Sequence, residues 1–205
     1  MTTIINLVQT KLTEEQIKKR VITNVVKMLY RRKILNLNEA QEYINKFIIL
    51  DDDKFKITTN DDKIIIIKLM DNSFPTISKQ SELVNFLNKN NKTHNIIIVK
   101  TIANKVLQYI AKNYKTSEVF HESFFMIDLP KTYIVPEHIP LSEEDGQKVM
   151  NEYLAQKRQL HYIESTDACA RYYNIKIGQI VKIKRPLITS GYEPAYKLCI
   201  KKKFG

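Results

Sequence analysis

Apolar residues recur along the 205-residue chain in two alternating rhythms, one helical and one extended. The first is helical. Ile17, Val21, Val25, Met28 and Leu29 share one face behind Thr13-Glu14-Glu15-Gln16, a capping box that predicts a helix to about Lys33. Lys18, Lys19, Lys27, Arg31 and Arg32 decorate the rest of that helix. Asn38 reads as the cap of a second helix with the stripe Ala40, Tyr43, Ile44, Phe47 and Ile48. Asp51–Asp53 then make an acidic loop, and Phe55–Thr58 and Lys63–Met70 read as strands with Asp61-Asp62 at a hairpin turn. Ser78 can cap a helix carrying Leu83, Val84, Phe86 and Leu87. A strand Asn95–Val99 follows, then a helix Ala103–Ala111 with Val106, Leu107 and Ile110 inward, and a last strand region Glu118–Ile127. Strand, helix, strand, helix, strand predicts a parallel-type α/β layer behind the two opening helices.

Pro130, Pro136 and Pro140 then break the pattern and place a domain boundary near 130. Beyond it Ser142 and Asp145 form another capping box, with Val149, Met150, Tyr153 and Leu154 as the apolar face. Ser165 or Thr166 can cap a short helix, with Asp167 in its first turn and Tyr172 and Tyr173 offered to a core. Asn174 suits a left-handed exit and Gly178 a turn. The alternation from Ile180 to Lys184 is a strand with one buried face, stopped by Arg185-Pro186. It is expected to pair with Ala195–Ile200 through Ser190-Gly191.

The stretch D-A-C-A-R-Y-Y-N-I-K-I-G-Q-I-V-K-I-K-R-P, Asp167 to Pro186, resembles the D-P-V-A-R-Y-x-G-x-x-x-G-Q-V-V-K-I-x-R-P signature of a small RNA polymerase subunit. That subunit is number five of the eukaryotic enzymes, and its archaeal counterpart lacks the first domain. A second block, I-V-P-E-H at Ile134–His138, matches the family's L-V-P-E-H, and K-R-V-I-T-N-V-V-K-M-L-Y-R-R resembles its opening helical region. The resemblance implies a jaw-type α/β domain over 1–130 and a small α+β assembly domain over 131–205 that docks on the largest polymerase subunit. Carried over residue by residue, the implied docking positions are Val135, Pro136, Glu137, His138, Asp167, Arg171, Tyr172, Gly178, Gln179, Arg185 and Pro186. The jaw lies near downstream duplex DNA in the family, which makes Lys18, Lys19, Lys27, Arg31 and Arg32 the DNA-proximal candidates. Two departures stand out. Lys100-Thr101-Ile102-Ala103 replaces a T-P-S-A-type loop that reads as shortened, and Asp167-Ala168 replaces Asp-Pro.

Composition adds charge to this picture. The net charge is +11, with 20 basic against 14 acidic residues in 1–130 and 13 against 8 in 131–205. Such an excess favours nucleic acid or an acidic partner, although a Lys-, Asn- and Ile-rich composition produces it without function. Cys169 and Cys199 are too few for a zinc cluster or disulfide framework and read as buried free thiols. His94, His121, His138 and His161 lack metal-ligand spacing, and four glycines leave no room for a phosphate loop. Consecutive aspartates splay apart rather than converge as a nuclease site requires. No catalytic, cofactor or metal constellation is expected, and the chain reads as soluble and intracellular. The function implied by the resemblance is a non-catalytic polymerase subunit, in viral factories of the host cytoplasm and the virion for an asfarvirus-like member or in the nucleus for a cellular one. A free-standing basic nucleic-acid-binding protein is the alternative. The charged tail Lys201–Gly205 is expected to fray.

Overall fold

A strand covered on both faces needs apolar side chains at every position, and the runs Ile65–Ile67 and Ile96–Val99 meet that need in the middle of a sheet. The computed structural model describes residues 12–50, 53–59, 63–76, 81–187 and 191–201, with the backbone alone for 48–50. It is a mixed α/β chain with two four-stranded sheets. Contacts divide the described residues into two units, one of 12–27 and 35–126 and the other of 28–34 and 127–201.

In the first unit the sheet order is β1 (Lys54–Thr58), β2 (Ile64–Phe74), β3 (His94–Ile102) and β4 (Ser117–His121). The last three are parallel, and β1 pairs antiparallel with β2 through Phe55↔Ile67 and Ile57↔Ile65. The parallel crossovers are α3 (Glu82–Lys89) and α4 (Asn104–Asn113). Their Leu83, Phe86, Leu87, Val106 and Ile110 close over Ile66, Met70, Ile97, Val99 and Val119 of the strands. Ile65, Ile67, Ile96, Ile98 and Phe120 point to the opposite face and are also buried. The opening helices are α1 (Glu14–Arg31) and α2 (Leu37–Leu50). At the start of α1 the Thr13 N–H donates to Gln16 Oε1 (3.1 Å), and the Gln16 N–H donates to Thr13 Oγ1 (3.3 Å). Phe47 of α2 meets Phe55 of β1 with ring centroids 4.5 Å apart.

The second unit holds β5 (Glu137–Pro140), α5 (Glu143–Glu152), β6 (His161–Glu164), α6 (Ala168–Tyr172), β7 (Ile180–Leu187) and β8 (Gly191–Ile200). Its sheet order is β5-β7-β8-β6, antiparallel except for the parallel β6–β8 pair. Ile163, Ala170, Ile175, Val181, Ile183 and Cys199 form its core.

Several boundaries differ from the expected ones. The second helix is entered at Asn36, whose N–H donates to Glu39 Oε2 (2.9 Å), so Asn38 lies inside it. Ser81 caps α3 by accepting from the Val84 N–H. The last strand stops at His121, and Glu122–Phe125 coil into a 3₁₀ turn that stacks Phe124 and Phe125 on Phe120 at 5.0 and 5.1 Å. Only Ala103 separates β3 from α4. On α5 the buried positions are Gly146 and Met150, not Tyr153 and Leu154. The helix ends at Glu152, and Leu154 stands 93% exposed with φ 48°. Asp51, Asp52, Asp61, Asp62, Ser78, Ser190, the Ile48 side chain and residues 202–205 lie outside the described residues.

Candidate docking site of the second unit

The two sequence blocks that carry the resemblance are far apart along the chain and adjacent in the sheet. β5 contains Glu137 and His138 and runs antiparallel to β7 with Glu137↔Lys184 and His138↔Ile183 in register. The Glu137 carboxylate pairs with Lys184 Nζ at 2.8 Å. His138 is buried, and its Nδ1 lies 2.7 Å from the Pro136 carbonyl. A carbonyl can only accept, so Nδ1 carries the proton. Burial outweighs that hydrogen bond and holds the imidazole pKa below its usual 6.5. Val135 closes a turn by donating its N–H to the Thr132 carbonyl.

Asp167 caps α6, where Ser165 or Thr166 was expected. Its carboxylate accepts from the N–H groups of Cys169 (2.8 Å) and Ala170 (3.3 Å), which a serine hydroxyl two residues earlier cannot reach. Asn174 has φ 52° and Gly178 φ 85°, the left-handed geometry that the turn requires. Gln179 is spent on that turn: Oε1 accepts from the Lys176 N–H and Nε2 donates to the Leu141 carbonyl, both at 2.9 Å. Leu141 in turn donates its N–H to the Ile180 carbonyl and so joins the start of α5 to β7. Between these elements lies an open groove of about 450 Å³ lined by Leu141, Gly146, Ile177, Gly178 and Ile180, with Lys157 and Lys176 at its rim. Arg185 and Pro186 continue β7 past the edge strands and face Glu193 and Tyr192 across the hairpin. Both are exposed.

The positions expected to act together therefore divide. Tyr172, His138, Asp167 and Gln179 shape the fold, whereas Glu137, Gly178, Arg185 and Pro186 reach the surface. Cys169 and Cys199 are buried free thiols, and burial pushes Cys169 up to about 11, with Asp167 adding to the shift. Neither is primed as a nucleophile. Among the described residues no His, Cys, Asp and Glu group could hold a metal, and no helix is long and apolar enough to cross a membrane.

The basic residues of α1 do not make one face. Lys18 pairs with Asp53 (2.9 Å) and Lys19 with Glu15. Arg31 and Arg32 belong to the second unit, where they turn onto α6. Arg31 forks on the Asp128 carboxylate and donates to the Tyr172 hydroxyl (2.6 Å). Arg32 donates from Nε to the Tyr172 carbonyl (2.7 Å) and from Nη2 to the Arg171 carbonyl (2.8 Å). Sequence reasoning missed this contact. The only local signal was the Arg31-Arg32 pair at a helix end, which reads equally as a solvated cap.

Residues 127–199 match the family model of the RNA polymerase Rpb5 C-terminal domain. The chain is 35% identical over 85 residues to the rpabc1 subunit of DNA-directed RNA polymerases I, II and III of Dictyostelium discoideum, covering 42% of this chain and 43% of that one. It is 34% identical over 83 residues to the Caenorhabditis elegans RPABC1 subunit, covering 40% and 39%. Alignment with these cellular relatives thus spans about two fifths of their length. A match to DNA-directed RNA polymerase subunit 5 of Acanthamoeba polyphaga mimivirus runs through both units, 27% identical over 189 residues and covering 89% and 91%. Residues 127–199, which carry both sequence blocks on neighbouring strands, are thus similar to the C-terminal domain of the Rpb5 family of RNA polymerase subunits.

Proposed function

We propose that this chain is a non-catalytic subunit of a multisubunit DNA-directed RNA polymerase. Residues 131–205 form its assembly domain and dock on the largest subunit. Residues 1–130 form a jaw-like domain that approaches downstream duplex DNA. The observation that carries this reading is the pairing of β5 with β7, which turns two separate sequence blocks into one surface. On it Glu137, Gly178, Arg185 and Pro186 make contact, while Val135, Pro136, His138, Asp167, Arg171, Tyr172 and Gln179 hold their geometry. Lys18, Lys19 and Lys27 supply sequence-independent charge to DNA. The match to a mimivirus subunit through both units supports a virus-encoded member working in the host cytoplasm.

The test is purification of the tagged chain from infected cells. Co-elution with the large polymerase subunits at fixed stoichiometry is the expected result. A chain that elutes alone and binds nucleic acid would be a free-standing basic protein instead.

A further inference from the structure

α6 has five residues, too few to hold a helix without help at its ends. Asp167 supplies that help at the start. At the other end the Arg171 carbonyl accepts from the Asn174 N–H (3.2 Å), and Arg32 adds a donor to that carbonyl and another to the carbonyl of Tyr172. Arg31 adds a fork on Asp128 and a hydrogen bond to the Tyr172 hydroxyl, with its guanidinium carbon 5.9 Å from the Tyr172 ring centroid. Tyr172 is 2% exposed, and burial pushes its phenol up to about 12, so it stays a neutral partner to the arginine. All these groups lie inside the second unit, yet residues 28–34 fall outside the span that matches the Rpb5 family model.

We propose that Arg31 and Arg32 are positioning residues for docking: they clamp the end of α6 and thereby set the turn through Asn174 and Gly178 that leads into β7. The docking module is then discontinuous, built from 28–34 together with 127–201. The two arginines serve protein assembly rather than DNA. Guanidinium geometry matters here, because two carbonyls and a carboxylate are met by a planar fork that lysine does not possess. The inference rests on the docking reading above.

The full-length chain is compared with Arg31→Ala, Arg32→Ala, Arg31→Lys and Arg32→Lys variants, with Lys112→Ala, at an exposed position of α4, as control. Two readouts are taken: amide hydrogen exchange of the isolated protein and capture of the co-expressed largest subunit. Amides of 169–175 should exchange about ten-fold faster or more in the alanine and lysine variants, the scale of losing hydrogen bonds to a charged group. Amides of β3 should be unchanged, and capture should fall alongside. Ala168→Pro, which stiffens the start of α6, should restore part of the capture in the Arg32→Ala background. The rescue tests whether ordering α6 from its other end is enough to recover docking. Should an alanine variant fail to fold, Tyr172→Phe removes only the hydroxyl that Arg31 reaches and must show the same local exchange. Lysine variants indistinguishable from wild type, or alanine variants with protected α6 amides and normal capture, would overturn the proposal. A wild-type chain that captures nothing would refute the docking reading, and the exchange data would then decide the clamp separately.

Discussion

The two units carry sheets of equal strand number and finish them differently. The first closes its sheet between apolar layers, with Ile97, Val99 and Ile96 of β3 at 0% exposure. The second has a smaller core and is ordered at its joints by Ser142, Asp167, Gln179 and Arg32. Of the thirteen large hydrophobics exposed among the described residues, ten belong to the second unit. They include Tyr133, Ile134, Leu154, Ile177 and Tyr192. Exposed apolar residues are thus concentrated in the unit proposed to dock. The first unit spends its apolar residues on itself. The second leaves more of them in water.

The strongest test of that contrast sets a core residue against a surface one. Ile97→Ala should cost about 2–5 kcal/mol of stability, because a fully buried isoleucine leaves a cavity between α3, α4 and the sheet. Ile177→Ser, at a 63% exposed position, should change thermal unfolding by less than about 0.5 kcal/mol and weaken polymerase capture instead. Reversed results would dissolve the distinction between the units.

Asn95 comes next. It is fully buried at the start of β3, and its amide donates to the Asn90 and Thr93 carbonyls and to Ser117 Oγ. Asn95→Ala strands those acceptors and should cost about 1–3 kcal/mol in denaturant unfolding. A loss below that range would mean water replaces the amide.

In the second unit Gly178→Val should cost about 1 kcal/mol or more. A Cβ there meets nothing within 4 Å, so the whole cost is backbone strain at φ 85°. An unchanged melting temperature would show that the turn tolerates a side chain. Ala168→Pro should act in the opposite direction and stabilise by about 0.4–1 kcal/mol, since Asp167 already has the extended conformation (φ −57°, ψ 144°) that precedes proline. A destabilised variant would reveal a need for the Ala168 N–H.

The mildest expected effect is with pH. His138 is held neutral by burial, and its folded pKa lies below 6.5. Its contribution is therefore intact above pH 6.5 and lost as pH falls from there through the folded pKa, because the unfolded chain binds the proton more readily. Melting temperatures taken from pH 7.5 downward should show that decline, and His138→Asn should flatten it. An unaltered decline would assign it to other groups.

Much of this was written locally in the chain. The Thr13–Gln16 box, the Ser142–Asp145 cap, the helices after β2 and β3 and the left-handed exits at Asn174 and Gly178 each depend on residues within one or two turns of one another. The Asp167 cap was misassigned by one or two places, because Ser165, Thr166 and Asp167 are all competent and only the path of the chain into α6 selects among them. The strand β6 escaped notice, as His161–Glu164 buries only Ile163 and four residues carry little periodicity.

By itself, then, the sequence determined most of the helices and longer strands, most of their apolar faces, and which blocks carry the family resemblance. Those properties follow from side-chain spacing and from backbone groups satisfied a few residues away. Only the tertiary structure decided that β5 lies against β7, that β6 joins β8 in parallel, and that Arg31 and Arg32 cap α6 rather than face solvent. A guanidinium can meet water, a phosphate, a carboxylate or a carbonyl. Which of these it meets is fixed by a fold that brings partners about 140 residues away within hydrogen-bond distance.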